Sequence, residues 1–511
     1  MSTRDSTHDV PTSRPNILLI TTDQQHFDAI GTRTSVLETP NLDRLAGEGV
    51  QLDRAYCPNP LCSPSRSSII TGQYPSTHGC WTIGTKLDEE HQNLGQIFGE
   101  HGYATSLIGK AHFQPLASQP DQTSLEAPPT LQDLDFWRGF TGPYYGFDHI
   151  ELARNHADEK WVGQHYALWM ESKGLENWRD FFQTEDPASA REHSWDLPQE
   201  FHYTNFVRER TIADLEKSVG EGKPFFTWAS FHDPHPPYLV PEPWASMYDP
   251  ADVEPGRLSP GELANMPIWH RLTQEENPDY SPWQETPYSN HGFGSHLIDD
   301  DLLRKNIAIY YGMISFIDQA VGEILDRLDA LGVAQDTIVV FTTDHGHFLG
   351  QHGLIAKGAF HYEDLLRVPM IARFPGRIPA GTTTSSLLSL IDLAPTFLAA
   401  AGIDVPESMQ GVNQLPVWAG DQGRARDHVL VENRHQPTKV HIRTYVDERY
   451  KITLYRGRDA GEMFDLQEDP GEIRNLYDDP EYADLRAELL ERFMDAELVR
   501  ETSKYRRIAV A

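Results

Sequence analysis

Two short apolar runs of this chain, Asn16–Thr21 and Thr337–Thr342, lead into the same sequence, Thr-Thr-Asp. Continuous apolar runs of this length, rich in β-branched residues, are typical of buried strands in a parallel sheet. Ligands bind beyond the carboxyl ends of the strands in such sheets. We therefore expect the polar residues that follow the two runs to meet at one edge of a parallel sheet.

The residues after the two runs combine oxygen and nitrogen donors. Asp23 and Gln24 follow the first run, and Asp344 and His345 follow the second. Three oxygen donors and one imidazole suit a hard or borderline divalent cation such as calcium, magnesium or manganese. The alternative is that each aspartate only caps the loop after its strand. The repetition of the pattern on two strands favours the metal site.

Further elements alternate along the chain in the order expected of an α/β protein. Ala104–Ile108 and Phe225–Phe231 are predicted strands, and Leu302–Leu331 is a predicted helix whose apolar positions lie three and four residues apart. After about residue 418 the pattern changes to short alternating segments, and Glu481–Leu498 is predicted to be a terminal helix. The predicted fold class is α/β, with a large, mainly parallel central sheet flanked by helices and a smaller C-terminal antiparallel sheet plus helix.

The chain of 511 residues is long enough for more than one structural unit. We predict a catalytic domain over residues 12–418 and an α+β subdomain over residues 419–511. Two stretches without clear periodicity, 115–205 and 241–295, are interpreted as insertions that shape the substrate site, the second of them as a long loop. The aromatic residues of the first insertion are interpreted as packing residues. The alternative is that some of them line the mouth of the site, namely Trp137, Tyr144, Tyr145 or Trp161.

Charge and composition argue against two classes of partner. The chain carries 76 acidic and 43 basic side chains, a formal net charge of −33, which disfavours nucleic acid and an anionic membrane surface. No apolar run reaches the roughly 18 residues of a membrane-spanning helix, and residues 1–14 lack the apolar segment of a signal peptide. Three cysteines are too few for a disulfide framework. We expect a soluble, cytoplasmic protein.

One cysteine, Cys62, stands in the polar sequence LCSPSRSSIITG. Ser65–Thr71 could form a helix with Cys62 at its amino-terminal end, where the helix dipole lowers the pKa of a thiol. Cys57 and Cys80 are interpreted as buried small apolar residues, the commonest role of an isolated cysteine. The neighbouring guanidinium of Arg66 favours a reactive thiol at Cys62.

The sequence CSPSR from Cys62 to Arg66 resembles the Cys-x-Pro-x-Arg signature of type I sulfatases, in the alkaline phosphatase superfamily. A departure is Gln73, where that family has Arg or Lys. The resemblance implies the fold predicted above and a nucleophile made by oxidation of the cysteine to formylglycine. It covers most of the chain, and the further matching segments are residues 15–24, 39–43, 109–113, 234–236, 343–353, 357, 367–369, 463–466 and 469–472.

The resemblance also implies a set of metal ligands. They hold one divalent metal, with calcium preferred over magnesium or manganese. Many sulfatases have a second aspartate where this chain has Gln24, and the Asp-Gln pair is similar to that of choline sulfatases and phosphonate monoester hydrolases. The implied ligands are Asp23, Gln24, Asp344, His345 and the modified Cys62.

The remaining matching residues are implied to carry out the reaction. The hydrate of formylglycine at position 62 attacks sulfur, and Arg66 stabilises its ionised form. Lys110 and Lys357 hold the sulfate oxygens. Two histidines move protons: His235, together with Lys357, assists departure of the alcohol, and His112 then removes a proton so that sulfate is expelled. Other histidines are interpreted as structural, with direct chemistry as the alternative: His347, His352 and His361.

The sequence therefore predicts hydrolysis of aryl, alkyl or carbohydrate sulfate monoesters, with choline sulfate also compatible. The alternative is a phosphonate monoester or phosphodiester hydrolase on the same scaffold, but phosphonate hydrolases generally lack the pair Lys110 and His112. A binding protein without activity is disfavoured because every mapped position is filled. The predicted partners are a small anionic sulfate ester and a formylglycine-generating enzyme. A homo-oligomer stays open, and Ser503–Ala511 could contribute to its contacts.

Overall fold

Strands and helices alternate over most of the chain. The computed structural model describes residues 14–154, 157–182, 192–285, 292–436, 439–457 and 460–501. The strands within them are, in chain order, β1 (Asn16–Thr22), β2 (Val50–Leu52), β3 (Ala55–Tyr56), β4 (Ala104–Gly109), β5 (His149–Leu152), β6 (Glu192–Ser194), β7 (Phe225–Ser230), β8 (Tyr238–Val240), β9 (Thr337–Thr343), β10 (Phe348–Leu349), β11 (Ile355–Ala356), β12 (Arg367–Val368), β13 (Ile371–Arg373), β14 (Thr382–Thr384), β15 (Leu388–Ser389), β16 (Val429–Gln436), β17 (Val440–Val446), β18 (Tyr450–Tyr455) and β19 (Gly461–Asp465).

The α-helices connect these strands and cover them. In chain order they are α1 (Pro40–Gly47), α2 (Cys62–Thr71), α3 (Pro75–His78), α4 (Leu94–Glu100), α5 (Leu134–Gly139), α6 (Gln164–Ser172), α7 (Tyr203–Gly220), α8 (Ile268–Leu272), α9 (Asp300–Ala330), α10 (Glu363–Leu366), α11 (Leu393–Ala400), α12 (Leu415–Trp418) and α13 (Ala483–Val499). Helix α9 confirms the long helix predicted from the spacing of apolar residues. In the part of the chain that the structure describes, no helix is both long and apolar enough to span a membrane.

The central sheet has the strand order β14-β2-β13-β9-β1-β7-β4-β5. The five neighbours β9, β1, β7, β4 and β5 run parallel to one another, whereas β13 is antiparallel to both β9 and β2. Four of the parallel strands are the four that the apolar runs predict. The predicted mainly parallel sheet is confirmed.

Helices cover both faces of the central sheet. Leu18 and Ile20 of β1 pack in one apolar cluster with residues of α1, α7 and α9, while Ile17 and Leu19 pack in another with residues of α2, α4 and α11. Successive side chains of a strand point to opposite faces, so a strand between two helical layers must be apolar at every position. This burial explains the continuous apolar runs of the sequence.

The C-terminal strands form a second, antiparallel sheet in the order β16-β17-β18-β19. Leu430 and Ile452 pack with Phe493 of α13, while Val429 and Val431 pack in the main apolar cluster. The predicted smaller sheet with a terminal helix is confirmed. The division of the chain after residue 418 stays a prediction, and the packing of β16 against the main cluster joins the two sheets.

The first insertion is organised by buried aromatic side chains. Trp137 is fully buried, and Tyr144 and Tyr145 belong to the main apolar cluster. These three residues therefore pack in the core, which fits their interpretation as packing residues. Trp161 is half-buried.

The second insertion contains more structure than the single loop predicted over residues 241–295. Helix α8 lies within it, and Trp269 of that helix packs against Tyr455 of the C-terminal sheet with ring centroids 4.7 Å apart. The prediction of one long loop is wrong at this helix, because tertiary contact orders a segment whose own pattern is weak. Residues 286–291 and Ser503–Ala511 lie outside the described residues.

A buried polar network fastens the second insertion to the loop after β10. The Nδ1 atom of His352 lies 2.5 Å from Glu262 Oε1, and its Nε2 atom lies 3.6 Å from Asp364 Oδ2. The imidazole stacks on Tyr362, whose hydroxyl donates to Glu462 at 2.7 Å. The insertion, the β10 loop and the C-terminal sheet are therefore joined by one network of hydrogen bonds, ion pairs and ring contacts.

This network predicts a loss of stability at alkaline pH. Burial opposes the charge of His352, but hydrogen bonds to Asp364 and Glu262 raise its pKa to about 9, above the roughly 6.5 of an unfolded chain. The stabilisation is complete below pH 6.5 and is lost as pH rises through 9. We expect the free energy of unfolding of the wild type, measured by urea denaturation, to fall by roughly 1–3 kcal/mol between pH 7 and pH 10.

The control is His352→Asn, since Asn tolerates the left-handed backbone found there. The variant should be less stable than the wild type at pH 7, and this difference should shrink at pH 10. A difference that stays constant over this range would contradict a charged His352.

Candidate active site

The carboxyl ends of four adjacent parallel strands bring the predicted residues together. A cavity of about 380 Å³ lies at this edge of the sheet and includes Cys62 and Lys357 in its lining. The two expected strand ends meet there, as the parallel topology requires. The residues delivered are Asp23 and Gln24 after β1, Asp344 and His345 after β9, Lys110 and His112 after β4, and His235 after β7.

Helix α2 points its amino-terminal end at this cavity. The helix begins at Cys62, three residues earlier than the segment predicted from Ser65, and the cysteine is 1% exposed. The Ser65 hydroxyl donates to the backbone carbonyl of Asp344 at 2.6 Å, which joins the first turn of the helix to the end of β9. The orphan N–H groups of that turn favour negative charge at position 62.

Four side chains form a buried cluster that could hold a metal ion. Donor atoms of Asp23, Cys62, Asp344 and His345 all lie within 4.8 Å of one another. The Cys62 sulfur lies 3.2 Å from His345 Nε2 and 3.6 Å from Asp23 Oδ1. Two carboxylates, an imidazole and one further donor suit a divalent cation.

The orientation of the neighbouring groups fits such a cation. His345 Nδ1 lies 2.9 Å from the carbonyl oxygen of Gly346, and because a carbonyl only accepts, the free lone pair of His345 is on Nε2, inside the cluster. Gln24 donates through Nε2 to His347 Nδ1 at 2.7 Å, while its buried Oε1 has no hydrogen-bond partner among the described residues. The Gln24 oxygen is therefore free to serve as a further ligand.

Arg66 lies beneath the cluster rather than in the cavity. Its guanidinium is fully buried, with Nε 2.8 Å from Asp344 Oδ2 and one terminal nitrogen 3.6 Å from Asp23 Oδ2. The other terminal nitrogen donates to the backbone carbonyl of Lys110 and to the Ser230 hydroxyl, at 3.0 and 2.7 Å. The charged groups that Arg66 contacts in this structure are the two carboxylates, and its action on the ionised nucleophile stays a prediction.

Two lysines set the electrostatics of Cys62. Lys357 Nζ lies 2.9 Å from the sulfur, and Lys110 forms an ion pair with Asp23. Burial and Asp23 raise the pKa of the Cys62 thiol, Lys357 and Lys110 lower it, and the net pKa lies below that of a free thiol. Burial raises the pKa of the other two cysteines, Cys57 and Cys80. None of the three cysteines forms a disulfide. Only the cysteine at the cavity has the electrostatics of a reactive thiol.

His112 and His235 line the cavity as neutral imidazoles. Burial, followed by the charge of Arg154, holds the pKa of His112 well below its usual value, and burial followed by Lys357 does the same to the pKa of His235. His235 Nδ1 bonds to the carbonyl of Pro236 and therefore carries the proton, leaving a lone pair on Nε2. Neither ring nitrogen of His112 has a hydrogen-bond partner among the described residues.

The other singled-out histidines have structural contacts. His347 bonds to Gln24 through Nδ1 and to the Tyr238 hydroxyl through Nε2 at 2.9 Å. His361 is buried with Nδ1 2.7 Å from the Thr444 hydroxyl. Together with His352 in its ion pair, these residues fit the structural interpretation.

Sequence reasoning missed two charged residues beside His112. Glu126 accepts hydrogen bonds from three successive backbone amides, beginning with that of His112, and from the Tyr144 hydroxyl. Arg154 lines the cavity two residues after the end of β5. Its position relative to a strand end is the signal that could have identified it, but β5 has only four residues and no apolar run.

Known proteins resemble this chain over nearly its whole length. Residues 15–403 match the family model described as Sulfatase, and residues 350–498 match the model described as N-sulphoglucosamine sulphohydrolase, C-terminal. An arylsulfatase of Clostridium perfringens is 28% identical over 494 residues, which cover 95% of this chain and 94% of that protein. The multifunctional alkaline phosphatase superfamily protein PehA of Trinickia caryophylli is 30% identical over 507 residues, covering 93% of each chain. The crystal structure of a phosphonate monoester hydrolase of Agrobacterium radiobacter matches with a TM-score of 0.77 and 26% identity, covering 96% of each chain.

The electrostatics of the cavity predict selective alkylation. In protein that carries unmodified thiols, iodoacetamide at neutral pH should alkylate Cys62 before Cys57 and Cys80, because only Cys62 lines the cavity and has a lowered pKa. Lys357→Met should slow this reaction roughly threefold to tenfold. Lys223→Met, at an exposed lysine, serves as the control. Peptide masses report the order, and an unchanged rate in the Lys357 variant would refute the role of this ammonium.

Proposed function

The chain belongs to the sulfatase family, and on this premise we propose that it hydrolyses sulfate monoesters with a formylglycine made from Cys62 and one divalent metal. As a member of this family it is a sulfuric ester hydrolase. The observation that carries the finer proposal is the position of Cys62. Its sulfur contacts Lys357 and His345 within a buried cluster of metal-ligand residues.

The proposed residue at position 62 combines two chemical functions. An aldehyde hydrate supplies one hydroxyl that attacks sulfur and a second hydroxyl through which sulfate can be released without attack by water at sulfur. Cys62 is 1% exposed, so the proposed maturation enzyme must reach it before the chain packs around helix α2. We expect the same maturation enzyme to be required in any expression host.

The proposed metal is calcium, with magnesium or manganese as alternatives, held by Asp23, Gln24, Asp344, His345 and position 62. When bound, it lowers the pKa of a coordinated hydroxyl and balances charge on the transferring group. Oxygen ligands outnumber nitrogen ligands in this set, which favours a hard cation.

The two cavity lysines are suited to hold the sulfate group. Lys357 Nζ lies 2.9 Å from the Cys62 sulfur, and Lys110 forms an ion pair with Asp23. Each ammonium is a compact point charge with three rotatable donors, which suits the tetrahedral oxygens of a sulfate ester. Together they offset the repulsion between a monoanionic ester and the two buried carboxylates.

Proton transfer is assigned to His112 and Lys357, and His235 has a positioning role. His112 is neutral and its ring nitrogens are uncommitted, so it can accept the proton whose removal expels sulfate. His235 presents a lone pair on Nε2 and cannot donate from that atom while Nδ1 holds the proton. Lys357 is therefore the better donor to the departing alcohol, and His235 is proposed to position it.

Replacement of the cysteine tests this proposal. Cys62→Ala should lower kcat/KM for 4-nitrophenyl sulfate by at least about 10³-fold, because the nucleophile is lost. Cys80→Ala, at a buried thiol outside the cavity lining, should retain activity. In active protein the peptide containing position 62 should be lighter by about 18 Da, because one oxygen replaces sulfur and two hydrogens. Unchanged turnover in Cys62→Ala would refute the mechanism.

A phosphonate monoester or phosphodiester hydrolase is the second candidate. The neutral Gln24 beside Asp23 and the likeness to a phosphonate monoester hydrolase favour it, whereas the pair Lys110 and His112 favours sulfate. A binding protein without activity is not supported, because the proposed nucleophile, cations and bases all occupy the cavity.

Matched substrates separate the two chemistries. We expect kcat/KM for 4-nitrophenyl sulfate to exceed that for 4-nitrophenyl phenylphosphonate and for a 4-nitrophenyl phosphodiester by at least about tenfold. The shared leaving group makes the rates comparable, and the fraction of formylglycine measured by mass normalises them. A higher value for either phosphorus ester would transfer the assignment to phosphoryl chemistry.

Three further features stay predictions. We propose a cytoplasmic location, since the charge and polarity of the sequence predict a soluble chain. Maturation by a formylglycine-generating enzyme follows from the proposed nucleophile. A homo-oligomer stays open, and light scattering of the purified protein would decide it.

A further inference from the structure

Arg154 follows the carboxyl end of its strand, as the proposed site residues follow theirs. Strand β5 is the parallel neighbour of β4 at the end of the central sheet, and Arg154 comes two residues after it. Its side chain lines the cavity that also contains His112, Lys110 and Lys357. The carboxyl ends of five adjacent strands, rather than four, therefore contribute to this cavity.

The guanidinium of Arg154 is buried and only loosely paired. The residue is 6% exposed, and its Nε atom lies 3.6 Å from Glu126 Oε2, beyond hydrogen-bond distance. This Nε has no hydrogen-bond partner among the described residues. A buried guanidinium normally has its donors satisfied, so Arg154 has binding capacity that the protein itself does not use.

Neutralisation of Glu126 does not explain this arrangement. The Glu126 carboxylate already accepts three backbone N–H groups and the Tyr144 hydroxyl at 2.8–3.1 Å. Such a set of donors stabilises an ionised carboxylate without a cation. A second buried charge adds a desolvation cost that a ligand anion can offset.

The charges acting on neighbouring groups indicate the side of the cavity on which Arg154 lies. Among side-chain charges, that of Arg154 has the largest effect on the pKa of His112, ahead of Lys110. The largest charge effects on the pKa of Cys62 come instead from Asp23, Lys357 and Lys110. The charges that act most on Arg154 are Glu126 and, after it, Cys62. Arg154 thus lies beside Glu126 and His112, in the same cavity as position 62, and Lys357 and Lys110 are the cations that act most on Cys62.

We propose that Arg154 binds a second anionic group, a carboxylate or a second sulfate, on the alcohol portion of the substrate. This inference rests on the proposed sulfatase function and names its substrate class. The planar fork of an arginine matches such a group with two parallel hydrogen bonds. Ile83 and Leu116 line the same cavity and provide apolar contact for the carbon skeleton between the two anions. A buried cation there disfavours a quaternary ammonium alcohol such as choline.

Three aryl sulfates with one ring position varied test the proposal. They carry a carboxylate, a neutral carboxamide or a trimethylammonium group, and a bis-sulfate provides the second anionic form. For the wild type, kcat/KM for the carboxylate ester should exceed that for the carboxamide by on the order of tenfold, mainly through KM. The trimethylammonium ester should be the poorest of the set. The relative rates of the carboxylate and bis-sulfate esters then show which anion is preferred.

Substitution shows whether Arg154 is responsible for the preference. In Arg154→Gln the ratio of the carboxylate to the carboxamide value should fall to about one, and Arg154→Lys should restore part of it. Arg257→Gln, at an exposed ion pair with Asp300, is the matched control and should keep the wild-type ratio. A wild type without preference, or an Arg154→Gln variant that slows all esters by one factor, would overturn the proposal.

Binding separates this proposal from the proposed reaction. Calorimetry with the Cys62→Ala protein should give a Kd for the carboxylate ester about tenfold lower than for the carboxamide. In the double variant Cys62→Ala/Arg154→Gln the two Kd values should be equal. Failure of the wild type to cleave any sulfate ester would refute the proposed function alone. Equal affinities in the Cys62→Ala protein would refute the role of Arg154 alone.

Discussion

The buried ion pair between Arg66 and Asp344 is the interaction on which the site depends. Arg66 lies four residues after Cys62 in α2, so the two side chains occupy the same face of the helix. Its guanidinium contacts groups at the carboxyl ends of β9, β1, β4 and β7. A buried charge is stable only when it is paired. The Arg66 guanidinium can be paired only if helix α2 and the ends of these four strands lie next to one another. This requirement gives a physical reason for the spacing between the cysteine and the arginine.

The cationic side chains that line the cavity explain how a strongly acidic protein can bind an anion. The chain has a net charge of −33, yet its cavity is lined by Lys110, Lys357 and Arg154. Burial in a low-dielectric environment strengthens the field of these groups relative to that of exposed carboxylates, which water and salt screen. Local charge therefore determines what binds, while net charge affects solubility and the approach of distant ligands.

The sequence predicted those parts of the site that depend on local pattern. Apolar runs identify β1 and β9, and the rule that ligands bind at strand ends brings Asp23 and Asp344 together. Arg154 escaped prediction because β5 is short and half-buried, so its end has no apolar signature. The pair of Glu262 and His352 joins residues 90 positions apart, and no local pattern reports such a contact. The helix α8 that supports it was missed for the same reason.

Gln24 affects the charge of the cluster of proposed metal ligands, and the orientation of its amide depends on a chain of hydrogen bonds. Its Nε2 donates to His347 Nδ1, so the proton of that imidazole is on Nε2, which faces the Tyr238 hydroxyl. If the proton of His347 were on Nδ1, two N–H groups would face each other across this contact. The Gln24 amide would then be flipped, with its nitrogen toward the cluster. The hydrogen bond from Gln24 Nε2 to His347 Nδ1 therefore leaves the amide oxygen available as a ligand, and the Tyr238 hydroxyl can accept from the Nε2–H of this tautomer. That oxygen carries no full charge, so the carboxylates of the cluster are only Asp23 and Asp344, beside the cations Arg66, Lys110 and Lys357. A third carboxylate would repel a monoanionic ester more strongly than the amide of Gln24 does.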